Sequence, residues 1–221
     1  MDIEPLVRIV AIYALPVLFA ITLHEAAHGY VARHFGDMTA HAQGRISLNP
    51  ARHIDLVGTI IVPVAILVIS KLSGGAGLLF GWAKPVPVNY SALRHPRQNM
   101  IWVAAAGPGA NMAMALAWTL LLKIFLIFPE NYFSEPMRLM CQAGMEVNIV
   151  LMLLNLLPIL PLDGGRIVAG LLPNRLAWGY AKLEPWGFPI LLLLLFTSVL
   201  GVILGPMVNF SFRLLGTVFR I

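Results

Sequence analysis

The sequence predicts an all-α polytopic membrane protein of about five to six transmembrane helices, with a small β-ribbon or re-entrant segment at the membrane face. Three observations carry that reading. Of 221 residues, 59% are hydrophobic and only 11% are charged, whereas a soluble domain carries about 25% charged residues; too little polar material is present to cover a water-facing surface. The mean hydropathy is +0.82. The apolar residues also gather into runs, several of them near the roughly 20 helical residues that cross a hydrocarbon core of about 30 Å. A soluble globular domain and a disordered chain are both excluded.

The runs fall in order at residues 6–34, 56–72, 100–128, 139–158, 186–204 and 207–219, the second and the last being marginal for a crossing. The polar intervals 36–55, 73–99 and 161–184 are too short to bury a core of their own, so residues 1–221 read as a single integral-membrane domain. Residues 44–49 alternate in side-chain type, and in 84–89 the residues before Pro85 and Pro87 are pushed to extended backbone. These two stretches are the expected ribbon, with Gly81-Trp82 as an interfacial anchor. Asp2 and Glu4 precede the first run, which outlasts a signal core; that segment is expected to remain as a span. The single cysteine, Cys141, excludes an internal disulfide. A net charge of +5 comes from basic residues dispersed at the flanks of apolar runs, a pattern of membrane orientation and not of nucleic-acid binding.

Inside the first run lies His24-Glu25-Ala26-Ala27-His28. On a helix, residues i and i+4 share a face, so the two imidazoles can meet one zinc ion while Glu25 reaches its water. Ionisable groups at membrane depth are costly unless they serve a function. A catalytic zinc takes three protein ligands and leaves a fourth position open, and the candidate third ligand is Asp163. It follows Asn155-Leu-Leu-Pro158-Ile-Leu-Pro161-Leu and precedes Gly164-Gly165-Arg166, where prolines and glycines break an apolar run; broken backbone at that depth must be enclosed by protein or line a cavity. Asp163 as a helix cap or as a partner of Arg166 is the alternative. With zinc at this site, Glu25 is the candidate general base, taking a proton from the attacking water and returning it to the leaving amine.

At these residues the chain resembles the site-2 proteases, intramembrane zinc metalloproteases. The first motif is similar to their HExxH, the second to their NxxPxxPxDGG, and Ala106-Gly-Pro-Gly-Ala-Asn111 to the AGPxxN signature that opens their next core helix. Residues 44–50, 53–55 and 81–89 resemble the compact bacterial and archaeal branch, which lacks PDZ and CBS domains. The resemblance implies one catalytic zinc held by His24, His28 and Asp163, with Glu25 as base. It further implies Asn155, and with it Asn111, as side chains contacting the substrate backbone or oxyanion, an interhelical contact being the other reading of Asn155. The catalytic core then covers about residues 5–172, with C-terminal helices at about 186–219.

For Asp163 to meet His24 and His28, the helices carrying the two motifs must run the same way across the bilayer, and the helix opening at Gly107 the opposite way. Residues 56–72 then return or form a re-entrant hairpin. Under that topology Arg33, Arg45, Arg52, Lys71, Lys84, Arg94, Arg97, Arg166, Arg175 and Lys182 lie on the catalytic side, against Arg8, Lys123 and Arg138 opposite. The positive-inside rule places the catalytic side in the cytosol of a prokaryotic plasma membrane.

The expected activity is endoproteolysis in or near transmembrane segments of membrane proteins, with a membrane protein or peptide as substrate and the bilayer as solvent. A cleavable strand has to be held extended, and an edge at 44–49 or 86–89 is the expected holder. The alternative from another class is a proton or metal-ion transporter using the same intramembrane His, Glu and Asp; transporters usually show paired repeats, and none is visible. Glu146 and Asn148 are expected to line a water path or to bond between helices, His41 and His53 to lie in a surface loop or touch a regulatory metal, and Met137, Met140, Met145 and Met152 to pack.

Overall fold

A computed structural model describes residues 4–62, 65 and 84–221. The greater part of the 56–72 segment, the return expected after it and the Gly81-Trp82 anchor lie outside the described residues. Eight α-helices follow one another among those described: α1 (Glu4–His34), α2 (Thr39–Ala42), α3 (Pro96–Ile127), α4 (Ser134–Asn155), α5 (Asp163–Leu171), α6 (Asn174–Ala181), α7 (Glu184–Phe196) and α8 (Val199–Phe219). Four of these, α1 from Val7 onward, α3, α4 and α8, are long and apolar enough to cross a membrane, and α7 is a shorter apolar helix. Four candidate spans thus stand among the described residues, and the marginal one expected over 56–72 lies mostly outside them.

Local chemistry sets the ends. In α1, Glu4 lies in the first turn and Arg33 and His34 in the last, each sign matched to the helix dipole; Gly36 then takes φ +107°, where only glycine is unstrained. Pro96 opens α3 at a position that needs no N–H. The helix does not start at Gly107, as the signature had suggested; Gly107 and Pro108 lie inside it. The expected single crossing over 186–204 is broken between α7 and α8, where Ser198 takes φ 59° and the Thr197 hydroxyl bonds back to Leu193 O at 2.7 Å. Short polar side chains that satisfy their own backbone make such a break possible at low cost.

The central helix is α3, packed against α1, α4, α5 and α8. Ala20 and His24 of α1 meet Asn111, whereas His28 meets Val103, so α1 and α3 run antiparallel. Arg8 pairs with Glu135 and Tyr13 with Glu146, so α1 and α4 run parallel, as the two-motif site requires. Ala115, Ile149, Met152, Leu153 and Leu204 pack together where α3, α4 and α8 meet. A Cβ on Gly144 of α4 would lie 2.5 Å from Cγ of the Trp118 ring; a small residue there lets the backbones approach, as helix packing in lipid favours.

No strand forms among the described residues, so the ribbon expected at 44–49 and 84–89 is absent there. Residues 45–47 and 84–89 carry no regular secondary structure and lie beside α1, where a Cβ on Gly29 would meet Ile46 Cγ1 at 2.9 Å and Val86 Cγ1 at 3.2 Å. Proline at 85 and 87 removes two ladder donors. Arg45 takes the place of a partner strand by donating to the carbonyls of Lys84 at 3.0 Å and Pro85 at 3.2 Å.

Candidate metal centre

His24 and His28 lie one turn apart on α1, and their Nε2 atoms are 3.1 Å from each other. Asp163, the first residue of α5, brings Oδ2 to 3.3 Å from His24 Nε2 and 3.4 Å from His28 Nε2. All three residues are buried. For nitrogen and oxygen ligands about 2.05 Å from a tetrahedral zinc, the edges of the tetrahedron measure about 3.3 Å, and this triangle has those edges. Asp163 Oδ2 is buried with no hydrogen-bond partner among the described residues, a costly state for a carboxylate oxygen unless a cation meets it. The donor set, two imidazoles and a carboxylate, suits zinc.

The sequence builds this triangle with small residues where backbone must come close. A Cβ on Gly107 would stand 2.6 Å from His24 Nε2 and nearer still to His28 Nε2, so the middle of α3 forms a wall directly behind both imidazoles. A Cβ on Gly164 would strike the carbonyls of Leu156 and Leu157, and one on Gly165 would lie 2.5 Å from Leu160 N. The two glycines let α5 fold back on the 156–160 turn, which points Asp163 at α1. Asp163 does not pair with Arg166, the alternative left open by the sequence; Arg166 bonds Glu184 at 2.8 Å.

Each imidazole is held at its other nitrogen. His28 Nδ1 lies 2.7 Å from Val103 O, and since a carbonyl only accepts, Nδ1 carries the proton and Nε2 is left as a donor of its lone pair. His24 Nδ1 lies 2.6 Å from Asn111 Oδ1, with the same consequence; such outer contacts orient ligands in metal sites. The amide nitrogen of Asn111 donates to Asn148 Oδ1 at 3.0 Å and to Ala20 O at 3.3 Å, and Asn148 donates to Gly144 O at 2.8 Å.

Asn111 is 0% exposed, so the substrate contact expected of it gives way to a place behind the ligand: its oxygen and both amide hydrogens are used inside the bundle. Asn155 is half-buried, and its amide donates to Leu151 O at 3.0 Å, one turn back on its own helix. Glu25 is half-buried, and its Oε2 accepts the Val86 N–H at 2.7 Å, a contact the sequence did not disclose. Asn148 is fully buried and takes the interhelical role of the two offered, while Glu146 accepts the Tyr13 hydroxyl at 2.8 Å. His53 is no surface residue; it is 2% exposed and directs Nε2 to Ser47 O at 2.8 Å. Among the described residues, His24, His28 and Asp163 form the sole cluster of metal-ligand type.

Outside the spans, Asp37 ties the end of α1 to the extended stretch. Its Oδ1 accepts from Thr39 N at 2.9 Å and its Oδ2 from Asn89 N at 2.7 Å. Burial acts to raise its pKa, but the bonds from Thr39 and Asn89 outweigh that and hold the carboxyl below its ordinary value.

Comparison with known proteins agrees with this geometry. The chain is 36% identical to a Bacillus subtilis protein named "Putative zinc metalloprotease YwhC", over 88% of this chain and 84% of that one. It is 29% identical to Rip2 of Mycolicibacterium smegmatis over 83% of this chain and 66% of the relative. With Rip2 of Mycobacterium tuberculosis it shares 27% identity over 76% of this chain, spanning 54% of that protein's length; both Rip2 proteins carry the same zinc metalloprotease designation. No protein-family model and no solved structure matches the chain. An identity of 36% across most of both chains, together with the two motifs brought to one buried triangle, places this chain in the site-2 protease family.

Proposed function

We propose that the protein is an intramembrane zinc endopeptidase, a single domain over residues 1–221 that hydrolyses peptide bonds in or near transmembrane segments of membrane proteins. One zinc is held by His24, His28 and Asp163. The single observation that carries this reading is the partnerless Asp163 Oδ2 facing two imidazole nitrogens at 3.3 and 3.4 Å.

Zinc bound there supplies Lewis acidity and a water of lowered pKa. Everything else falls to the chain. Glu25 takes the proton of the attacking water and returns it to the leaving amine nitrogen. Val103 O and Asn111 keep the two imidazoles in the ligating tautomer, and the α3 backbone at Gly107 closes the rear of the site. The substrate lies extended along residues 46–48, beside α1. That stretch suits the task because, among the described residues, no hydrogen bond uses the N–H groups of Ile46, Ser47 or Leu48, which leaves donors for an added chain. Asn155 stands at the end of α4, where its side chain can turn from Leu151 O to the substrate. The basic residues counted above support a catalytic side facing the cytosol of a prokaryotic plasma membrane.

Zinc analysis and a cleavage assay on detergent-purified protein test the reading together. About one zinc per chain is expected in wild type and in Glu25→Gln, with cleavage lost only in the variant; Asp163→Ala is expected to lose both. Full zinc in Asp163→Ala, or cleavage by Glu25→Gln, overturns it.

A further inference from the structure

Beyond the end of α1, where the chain leaves the candidate span, the loops 42–54 and residue 84 enclose an open pocket of ≈ 590 Å³. Arg45, Arg52 and Lys84 line it, with Gln43 and Ile54 beside them and no acidic side chain among the described lining residues. The two arginines spend donors on backbone carbonyls, Arg45 on Lys84 and Pro85, Arg52 on Gly44. A carbonyl takes a hydrogen bond without cancelling a charge, and among the described residues none of the three cations has a carboxylate within ion-pair distance. Arg45 Nε is buried and has no hydrogen-bond partner among the described residues.

Three unneutralised cations around one concavity repel one another, and the pocket becomes favourable when an anion enters. We propose that this pocket binds a phosphate group, borne by an anionic lipid headgroup or present as the free ion. Arginine forks match phosphate oxygens in geometry, and a lysine adds a point charge. The volume admits a headgroup, and the position at the membrane boundary is where lipid phosphates lie.

The pocket is distinct from the metal centre but joined to it by bonds already described. Arg45 grips the carbonyls of residues 84 and 85, and the next N–H, that of Val86, is the one on Glu25. An anion seated on Arg45 therefore stiffens the stretch that holds the base.

The site is tested by lipid retention, which is independent of proteolysis. The full chain is reconstituted in nanodiscs of mixed phosphatidylglycerol and phosphatidylcholine, extracted in mild detergent, and its retained lipids are counted by native mass spectrometry. Wild type is expected to retain phosphatidylglycerol in preference. Lys84→Gln, whose side chain makes no hydrogen bond among the described residues, is expected to weaken that preference about fivefold, and Arg52→Gln with Lys84→Gln further. Equal retention of both lipids by wild type, or an unchanged preference in both variants, overturns the proposal. Millimolar inorganic phosphate distinguishes the sources: displacement of the lipid makes the free ion a ligand as well, and no displacement confines the site to lipid-borne phosphate. Both results keep the site, and neither depends on the zinc assignment.

Discussion

Asn111 Oδ1 rests 2.6 Å from His24 Nδ1, so a side chain on α3 decides which nitrogen of a histidine on α1 is free for a metal. Asn111→Leu removes the acceptor while keeping the volume, and zinc affinity in a chelator competition is expected to fall about 10- to 100-fold. Asn111→Asp retains an acceptor and should recover most of it. Equal affinity in wild type and Asn111→Leu would show that Asn111 does not orient the ligand.

Gly107 and Gly109 are two residues apart on α3 but differ in what surrounds them. A Cβ at 107 collides with both imidazoles, whereas one at 109 meets nothing within 4 Å. Gly107→Ala is expected to empty the site of zinc, and Gly109→Ala to leave zinc content and thermal stability unchanged. Elemental analysis of the pair, purified side by side, settles it.

Leu48 is 58% exposed, so replacing it removes little packing. Leu48→Pro deletes an N–H group that has no partner among the described residues and should abolish cleavage with zinc still bound; Leu48→Ala, which keeps the N–H, should cleave. Equal cleavage by both variants would remove residues 46–48 from substrate binding.

Arg97 closes the far end of the helix that Asp163 begins, with Nε to Gly170 O at 2.9 Å, further bonds to the carbonyls of Leu171 and Leu172, and Nη1 to Asn174 Oδ1 at 3.1 Å. Arg97→Ala leaves the last carbonyls of α5 without these partners and is expected to cost about 1–3 kcal/mol. Faster amide exchange should concentrate in α5 and α6, with α8 unaffected.

Asp37 gives the structure an acid-sensitive joint. Its folded pKa is depressed, so its contribution is complete above the unfolded value of about 3.9 and disappears as pH falls through the folded one. As pH falls below about 4 and on through that lower value, the 37–39 turn should progressively separate from residue 89, seen as protease cutting between them. Asp37→Asn should be susceptible already at neutral pH and show no further change on acidification over that range.

How much of this was legible beforehand follows from the kind of interaction involved. The spans built on α1, α3 and α4 are written in run length alone, and the triangle in two short motifs whose spacing follows from helix geometry. The break at Thr197 and Ser198 was hidden because two small polar residues barely lower the hydropathy of the run around them. The ribbon was misjudged because extended backbone was equated with a ladder; Pro85 and Pro87 ensure the first without permitting the second, and Arg45 supplies the partners. Val103 O and the Val86 N–H are backbone groups, common to nearly every residue, and no side-chain pattern could single them out. Asn111 was visible in its motif, but only the antiparallel crossing of α1 and α3 turns it towards a histidine.

Under the proposed function, the length of α3 bears on how water reaches the site. Its 32 residues extend about 48 Å, well beyond the roughly 30 Å of hydrocarbon that even a strongly tilted helix has to cover. Part of the helix therefore stands in the headgroup layer. Both ends carry a cation, Arg97 near the start and Lys123 near the finish; Arg97 lies 6 residues before Val103 and 14 before Asn111, Lys123 20 and 12 residues after them. Measured along α3 from Arg97, the imidazoles sit only about 9 to 21 Å in. Under the proposed function, water arriving from the Arg97 end therefore has the shorter of the two journeys to the imidazoles, since Lys123 lies 12 to 20 residues beyond the same contacts.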